Sequence, residues 1–139
     1  RETVRLHPAV PVDPKVAFSD DVLPDGSIIS KGDYVFYGPY QMARDVKIWG
    51  EDCLEWRPER WLEMESEPST FVNCAFQAGP RICLGREMAV LEAKAVLAQV
   101  LLSGLRWEMR HGYSPTYKYP SIVMPMADPG LPVRVHSKE

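Results

Sequence analysis

The run Phe76-Gln77-Ala78-Gly79-Pro80-Arg81-Ile82-Cys83-Leu84-Gly85 gathers the residues of this sequence best suited to chemistry. Its single cysteine, Cys83, follows a turn-forming Gly-Pro pair and precedes an apolar helical run, which predicts a cysteine delivered to the first turn of a helix. Backbone N–H groups at a helix start carry partial positive charge, which lowers a thiol's pKa and favours the thiolate that a metal requires. Gly79 permits a tight turn, and Gly85 omits a side chain where a flat ligand would lie close to the helix. Arg81 can reach an anionic group on that ligand through charge-assisted hydrogen bonds, and Phe76 would shield the sulfur from water. A catalytic nucleophile and an inert buried cysteine are the alternatives. The nucleophile lacks a positioned histidine: His7, His111 and His136 are far apart, without companion residues, and read as surface or loop side chains.

The element that must carry the loop is a long helix predicted over 84–103, apolar on nearly every side and stopped by Gly104. Its apolar stretch from Met88 to Leu102 is interrupted by Glu92, Lys94 and Gln99, so it falls short of a membrane span and is expected to be buried. Upstream, the opening letters RETVRLHP read as a helix in mid-course that Pro8 and Pro11 end. Turn signals at Pro24-Asp25-Gly26 and Lys31-Gly32-Asp33 flank β-prone runs at 16–18, 27–29 and 34–37, which predicts one small sheet. Residues 40–62 are helical in pattern but broken by Gly50 and Pro58, with Trp49, Trp56 and Trp61 as anchors. A solvated connection is expected over 64–73. Strand candidates at 105–109, 122–124 and 133–135 follow, the last two joined at Asp128-Pro129-Gly130 into a closing hairpin.

Composition restricts the function. With 139 residues, 45% hydrophobic and 25% charged, the chain can bury one modest core and is not of disordered type. A net charge of -3, with 16 basic residues scattered among 19 acidic ones, argues against a nucleic-acid partner. The three cysteines contain no C-x-x-C pair, which suits a reducing compartment rather than a disulfide framework or zinc knuckle. No repeat, low-complexity segment or linker divides the chain, so a single domain is expected over 1–139. The first residue is Arg1 and the first helix has no capping turn of its own, which predicts a fragment.

The cysteine run matches F-x-x-G-x-R-x-C-x-G at every fixed position, and here the chain resembles the cytochrome P450 family. Glu2 and Arg5, three apart on one helix face, and Arg60 within Pro58-Glu59-Arg60-Trp61, match that family's E-x-x-R helix and its P-E-R-F-like segment, with Trp61 in place of the commoner phenylalanine. The resemblance runs the length of the chain in the family's order. It implies a mainly α fold with small antiparallel β-sheets (α+β), the incomplete C-terminal part of the cytochrome P450 fold. It implies haem b, with Cys83 as the axial thiolate and metal ligand, Phe76, Gly79, Arg81 and Gly85 forming the cofactor-binding loop, and Arg81 on a propionate. Glu2, Arg5 and Arg60 would form a buried charge network with no part in bond making. Val10, Val12 and Asp13, with Ile122 and Val123, would face the substrate, while Arg86 and Lys94 read either as contacts for a reductase or as solvated helix charges.

The strings VPVDPKVAFSDDVLPDG, IWGEDCLEWRPERWL and FQAGPRICLG look most like the fatty-acid ω-hydroxylase branch. The resemblance then implies a haem-thiolate monooxygenase that takes electrons from an NADPH-dependent reductase and inserts one oxygen of O2 into a C–H bond of a lipophilic substrate. Residence on the cytoplasmic face of the endoplasmic reticulum membrane, through an N-terminal anchor outside this sequence, is also implied. The family's oxygen-activating helix would precede Arg1, so turnover by this segment alone is not expected. Two other readings stay open: a reductase-independent hydroperoxide lyase or isomerase, and a non-catalytic truncated relic.

Overall fold

The first helix, α1 (Glu2–Leu6), is a single short turn, and His7 ends it immediately before Pro8, as the proline predicts. A computed structural model of the chain describes residues 1–110, 116–118, 123, 125–127 and 130–137. Within these the chain forms two compact units, Arg1–Ala75 and Phe76–Glu139, although no linker composition marks the boundary.

In the first unit, β1 (Asp13–Val16) pairs antiparallel with β4 (Tyr34–Tyr37), and nested inside them β2 (Asp21–Val22) pairs with β3 (Ile28–Ile29). These are two separate ladders, not the one sheet expected. Acidic side chains take backbone N–H groups that a continuous ladder would use: Asp20 accepts from Lys31 N at 2.8 Å, and Asp33 from Ser30 N at 2.8 Å. Ala17 is drawn into the Lys31-Gly32-Asp33 turn by hydrogen bonds to Asp33 O and from Gly32 N, each 2.9 Å, so the strand expected over 16–18 lies at Asp13–Val16. Pro14 fits there because this two-stranded ladder leaves strand edges free of a partner that would need its missing N–H.

Three short helices follow. α2 (Pro39–Met42) begins on its proline, α3 (Val46–Trp49) is capped by the Asp45 carboxylate on Lys47 N at 2.8 Å, and α4 (Arg60–Glu63) starts just after Pro58. Gly50, at φ +83°, ends α3 in a conformation that favours glycine. The buried set of this unit is Leu6, Pro8, Pro39, Ala43, Trp49, Cys53 and Cys74, together with Glu2, Arg5 and Arg60. No helix or strand forms between Met64 and Asn73, as expected of a connection.

The second unit is built on α5 (Arg86–Leu102), with Gly104 at φ +67° just beyond its end and β5 (Leu105–Met109) directly after. The expectation that this helix is buried is overturned: none of its residues is buried, and Met88, Leu91, Val96, Leu97, Leu101 and Leu102 are all more than 60% exposed. The reason is geometric, since a helix that is apolar all round needs neighbours on several sides, and the described residues of this unit supply one two-stranded sheet and an isolated bridge.

The strands expected at 105–109 and 133–135 form. β6 (Val133–Ser137) pairs antiparallel with β5, and Trp107↔Val135 and Met109↔Val133 match apolar partners on one face. A separate antiparallel bridge joins Tyr117 to Met126, flanked by Lys118 N to Pro125 O at 2.9 Å and Ala127 N to Thr116 O at 2.8 Å. Of the expected turn and middle strand, Ile122, Met124, Asp128 and Pro129 lie outside the described residues, as does His111.

Candidate functional site

The cysteine loop is closed by one main-chain hydrogen bond, Cys83 N donating to Phe76 O at 2.8 Å. Between these ends the backbone turns back through two left-handed positions, Gln77 at φ +62° and Gly79 at φ +66°. A 3₁₀ turn over Gly79–Arg81 follows, closed by Ile82 N on Gly79 O at 3.1 Å. Gln77 is the one non-glycine residue with positive φ among the described residues, a conformation that costs roughly 1–2 kcal/mol for an L-residue. The sequence singles out Gly79 for this turn and gives no sign of Gln77.

Cys83 does not sit in the first turn of α5, as expected, but just before it. Gly85 is the N-cap, and the Cys83 carbonyl accepts from Arg86 N at 3.3 Å. Pro80 and the 3₁₀ turn consume the residues that would otherwise extend the helix backward. The thiol is free and exposed. A Cβ on Gly85 would stand 4.0 Å from Cys83 Sγ, an ordinary contact distance, so the bare glycine leaves open the space beside the sulfur. Arg81 is exposed at the end of the 3₁₀ turn, and Phe76 is half-buried at the loop's start.

The first unit brings Glu2, Arg5 and Arg60 together. The Glu2 carboxylate accepts five hydrogen bonds: Arg5 Nε at 2.9 Å and Nη2 at 2.7 Å, Arg60 Nε at 3.0 Å, Trp61 Nε1 at 2.9 Å, and the Arg57 backbone N at 3.2 Å. Burial works to raise the pKa of this carboxyl, but the donors from Arg5, Arg57, Arg60 and Trp61 prevail and hold it at about 2. Arg5 spends its remaining donors on the carbonyls of Ala43, Cys53 and Glu55, and its guanidinium lies 4.9 Å from the centre of the Trp49 ring.

Arg60 donates from Nη1 to Asp52 Oδ1 at 3.1 Å and from Nη2 to the Asp52 carbonyl at 2.9 Å. Burial opposes its charge, while the hydrogen bonds to Asp52 and Glu2 raise its pKa. Arg57 donates to Asp52 Oδ2 at 2.6 Å and also pairs with Glu63. Sequence reasoning missed Asp52, Arg57 and the polar use of Trp61. The irregular segment 50–57 carries no periodicity to mark which side chains turn inward, although the acid eight residues before Arg60 was a signal of a kind.

The residues expected to face a substrate divide between the units. Val10 is half-buried and Val12 exposed between α1 and β1, and the Asp13 carboxylate is occupied, accepting from Tyr37 Oη at 2.6 Å and Lys15 Nζ at 3.0 Å. Burial and the Asp13 carboxylate push the Tyr37 hydroxyl's pKa well above its ordinary value. Val123 is exposed in the second unit, and Ile122 lies outside the described residues. On α5, Arg86 is half-buried and Lys94 exposed. Of the histidines, His7 has its pKa lowered by burial and by Arg44, while His136 stands 3.3 Å from Glu108. No helix among the described residues is long and apolar enough to cross a membrane.

Cytochrome P450 CYP94D109 of Paris polyphylla is 45% identical over 142 residues, covering 99% of this chain and 28% of that protein. Cytochrome P450 94A2 of Vicia sativa is 50% identical over 107 residues (72% of this chain, 21% of that protein), and cytochrome P450 86B1 of Arabidopsis thaliana 48% identical over 103 (72% and 18%). The chain thus spans 28% or less of the length of these relatives. The family model for cytochrome P450 matches residues 1–131, taking in α1, the P-E-R segment, the cysteine loop and α5, and the chain belongs to the cytochrome P450 family.

Proposed function

We propose that Cys83 is the thiolate ligand of a haem iron, and that the protein to which this chain belongs is a monooxygenase acting on a lipophilic substrate, a fatty acid by preference. Haem held by a cysteine thiolate is the cofactor of the family. The observation that carries the residue assignment is the loop closed from Cys83 N to Phe76 O, which turns an exposed thiol toward space that Gly85 leaves open. A planar group bound to the sulfur would occupy that space, and a side chain at residue 85 would intrude on it.

Arg81 would pair with a propionate, and half-buried Phe76 would limit water at the sulfur. A thiolate shielded from water donates more charge to a metal, since hydrogen bonds from solvent withdraw density from the sulfur. When bound, haem supplies the iron at which O2 is reduced by two electrons, one oxygen passing into a substrate C–H bond and the other leaving as water. The chain's own part would be to ligate through Cys83, to orient the group through Arg81, and to limit water at the sulfur through Phe76.

The electrons would come from an NADPH-dependent reductase at the cytoplasmic face of the endoplasmic reticulum, with Arg86 and Lys94 as candidate contacts on α5. The preference for a fatty acid rests on the strings around Val10–Asp13, Pro58–Trp61 and the cysteine loop. A relative named noroxomaritidine synthase, from Narcissus aff. pseudonarcissus MK-2014, is 43% identical over 72% of this chain, so substrate identity needs its own test.

The test is made on the full-length protein. Reduction under carbon monoxide should give the red-shifted Soret band of thiolate ligation, and Cys83→Ser should lose it. Retention of that band by the serine variant would sink the assignment. NADPH-dependent oxidation of a fatty acid supports the monooxygenase reading. Consumption of hydroperoxides alone would replace it with the lyase or isomerase, and a folded product without haem would leave the relic.

A further inference from the structure

The charges of the buried cluster do not balance among the three residues that define it. Glu2 contributes one negative charge against two positive charges from Arg5 and Arg60, and all three side chains are 5% exposed or less. An uncompensated buried cation is among the costliest features a fold can carry. Asp52 removes the excess: its carboxylate accepts from Arg60 Nη1 at 3.1 Å while its carbonyl accepts from Nη2 at 2.9 Å, so one residue holds the outer edge of the guanidinium twice. The same carboxylate takes Arg57 Nη1 at 2.6 Å, and the Arg57 backbone N returns to Glu2 at 3.2 Å. Glu2, Arg60, Asp52 and Arg57 therefore close a ring of hydrogen bonds. Arg57 and Glu63 form a further pair of opposite charge at the solvent edge, where water screens both.

We infer that Asp52 is the fourth, charge-neutralising member of this cluster, a positioning residue that holds Arg60 and, through it, the Glu2 carboxylate. It is not a catalytic residue, and the inference stands apart from the haem assignment because unfolding equilibria can test it whatever Cys83 binds.

Neutrality makes a prediction that simple bracing does not. Asp52→Asn alone strands a positive charge, and Arg60→Gln alone strands a negative one on the Glu2 and Asp52 side. The double variant returns the cluster to zero with Glu2 and Arg5 still paired. In urea unfolding of the full-length protein, each single variant should raise the unfolding equilibrium constant roughly tenfold or more. The double variant should raise it less than the product of the two single effects, and less than Arg60→Gln alone. Asp52→Glu, which keeps the charge, should stay within about threefold of the parent and retain its haem. Multiplicative single effects, an Asp52→Asn variant equal to the parent, or an Asp52→Glu loss as large as that of Asp52→Asn would each overturn the inference. Failure of the Cys83→Ser test would leave it untouched.

Discussion

In residues 1–75 three of the most deeply buried side chains are charged, whereas in residues 76–139 the apolar helix α5 has no buried residue. Glu2, Arg5 and Arg60 are exposed by 2%, 1% and 4%, while Leu102 of α5 is exposed by 80% and Leu84, just before it, by 102%. This inverts what hydropathy alone would assign. The buried charges are stable because every partner they need lies inside the same unit: five donors on Glu2, three carbonyls under Arg5, and Asp52 on Arg60. Apolar side chains gain their stabilisation only from surfaces that cover them, and the described residues of the second unit offer few. Burial in this chain follows local completeness of partners more closely than residue type.

The comparison breaks most sharply at Arg5. Arg5→Ala removes two donors from a buried carboxylate and strands the Ala43, Cys53 and Glu55 carbonyls, which should cost about 3–5 kcal/mol. On the proposed function it should also abolish haem incorporation. A purified full-length variant with an unchanged haem-to-protein ratio would refute that expectation.

Acid attacks the same cluster without mutation. The Glu2 carboxyl is held at about 2 in the fold against an ordinary 4.5, so its stabilisation is complete above pH 4.5 and is lost as pH falls through about 2. The difference corresponds to about 3 kcal/mol. Urea midpoints measured from pH 5 to pH 2 should fall steeply for the parent. Glu2→Gln should be less stable at pH 5 and lack the share of the slope that Glu2 contributes. An identical acid profile in both proteins would place the acid sensitivity elsewhere.

Much of this was legible in the sequence, for reasons that differ by residue. The spacing of Glu2 and Arg5 on a helix, and the P-E-R segment around Arg60, marked the cluster's members because each lies in a short motif. Asp52 and the Arg57 backbone N join through irregular chain, where no period tells which side turns inward. Helix α5 was legible in type and nearly in length, since its composition and Gly104 are local signals. Its burial was not, because burial is a property of neighbours. The turn residues at 128–130 point to a hairpin between 122–124 and 133–135 that lies largely outside the described residues, while the pairing of β6 with β5, which sets Trp107 and Met109 against Val135 and Val133, joins segments too far apart for any local turn signal to announce. The helix expected from residue 84 starts at Arg86, because the 3₁₀ turn at Gly79–Arg81 depends on backbone angles at Gln77 and Gly79 that only the glycine advertises.

The loop offers a smaller perturbation. Gly79→Ala keeps the polarity of the segment but places a Cβ at φ +66°, at a cost of roughly 1–2 kcal/mol. That cost should appear as weaker haem retention in the full-length protein while the pH dependence due to Glu2 is unchanged, since the substitution lies outside the charged cluster. A shifted acid profile would mean that the two regions are energetically coupled.

The smallest effect is expected where hydropathy would place the largest. Leu97 and Leu101 lie one turn apart on α5 and are 61% and 74% exposed. Leu97→Gln and Leu101→Gln keep helix propensity nearly constant and add no charge to the end of the helix. In the 139-residue chain each should change stability by about 0.5 kcal/mol or less. The pair should also lower the binding of a dye that reports exposed apolar surface. A core leucine shortened to alanine costs about 2–5 kcal/mol, so a loss of that size in the 139-residue chain would mean that α5 is covered after all. The same two substitutions in the full-length protein then measure the cover directly: a penalty that appears only there is the contribution of surfaces that residues 76–139 do not themselves provide.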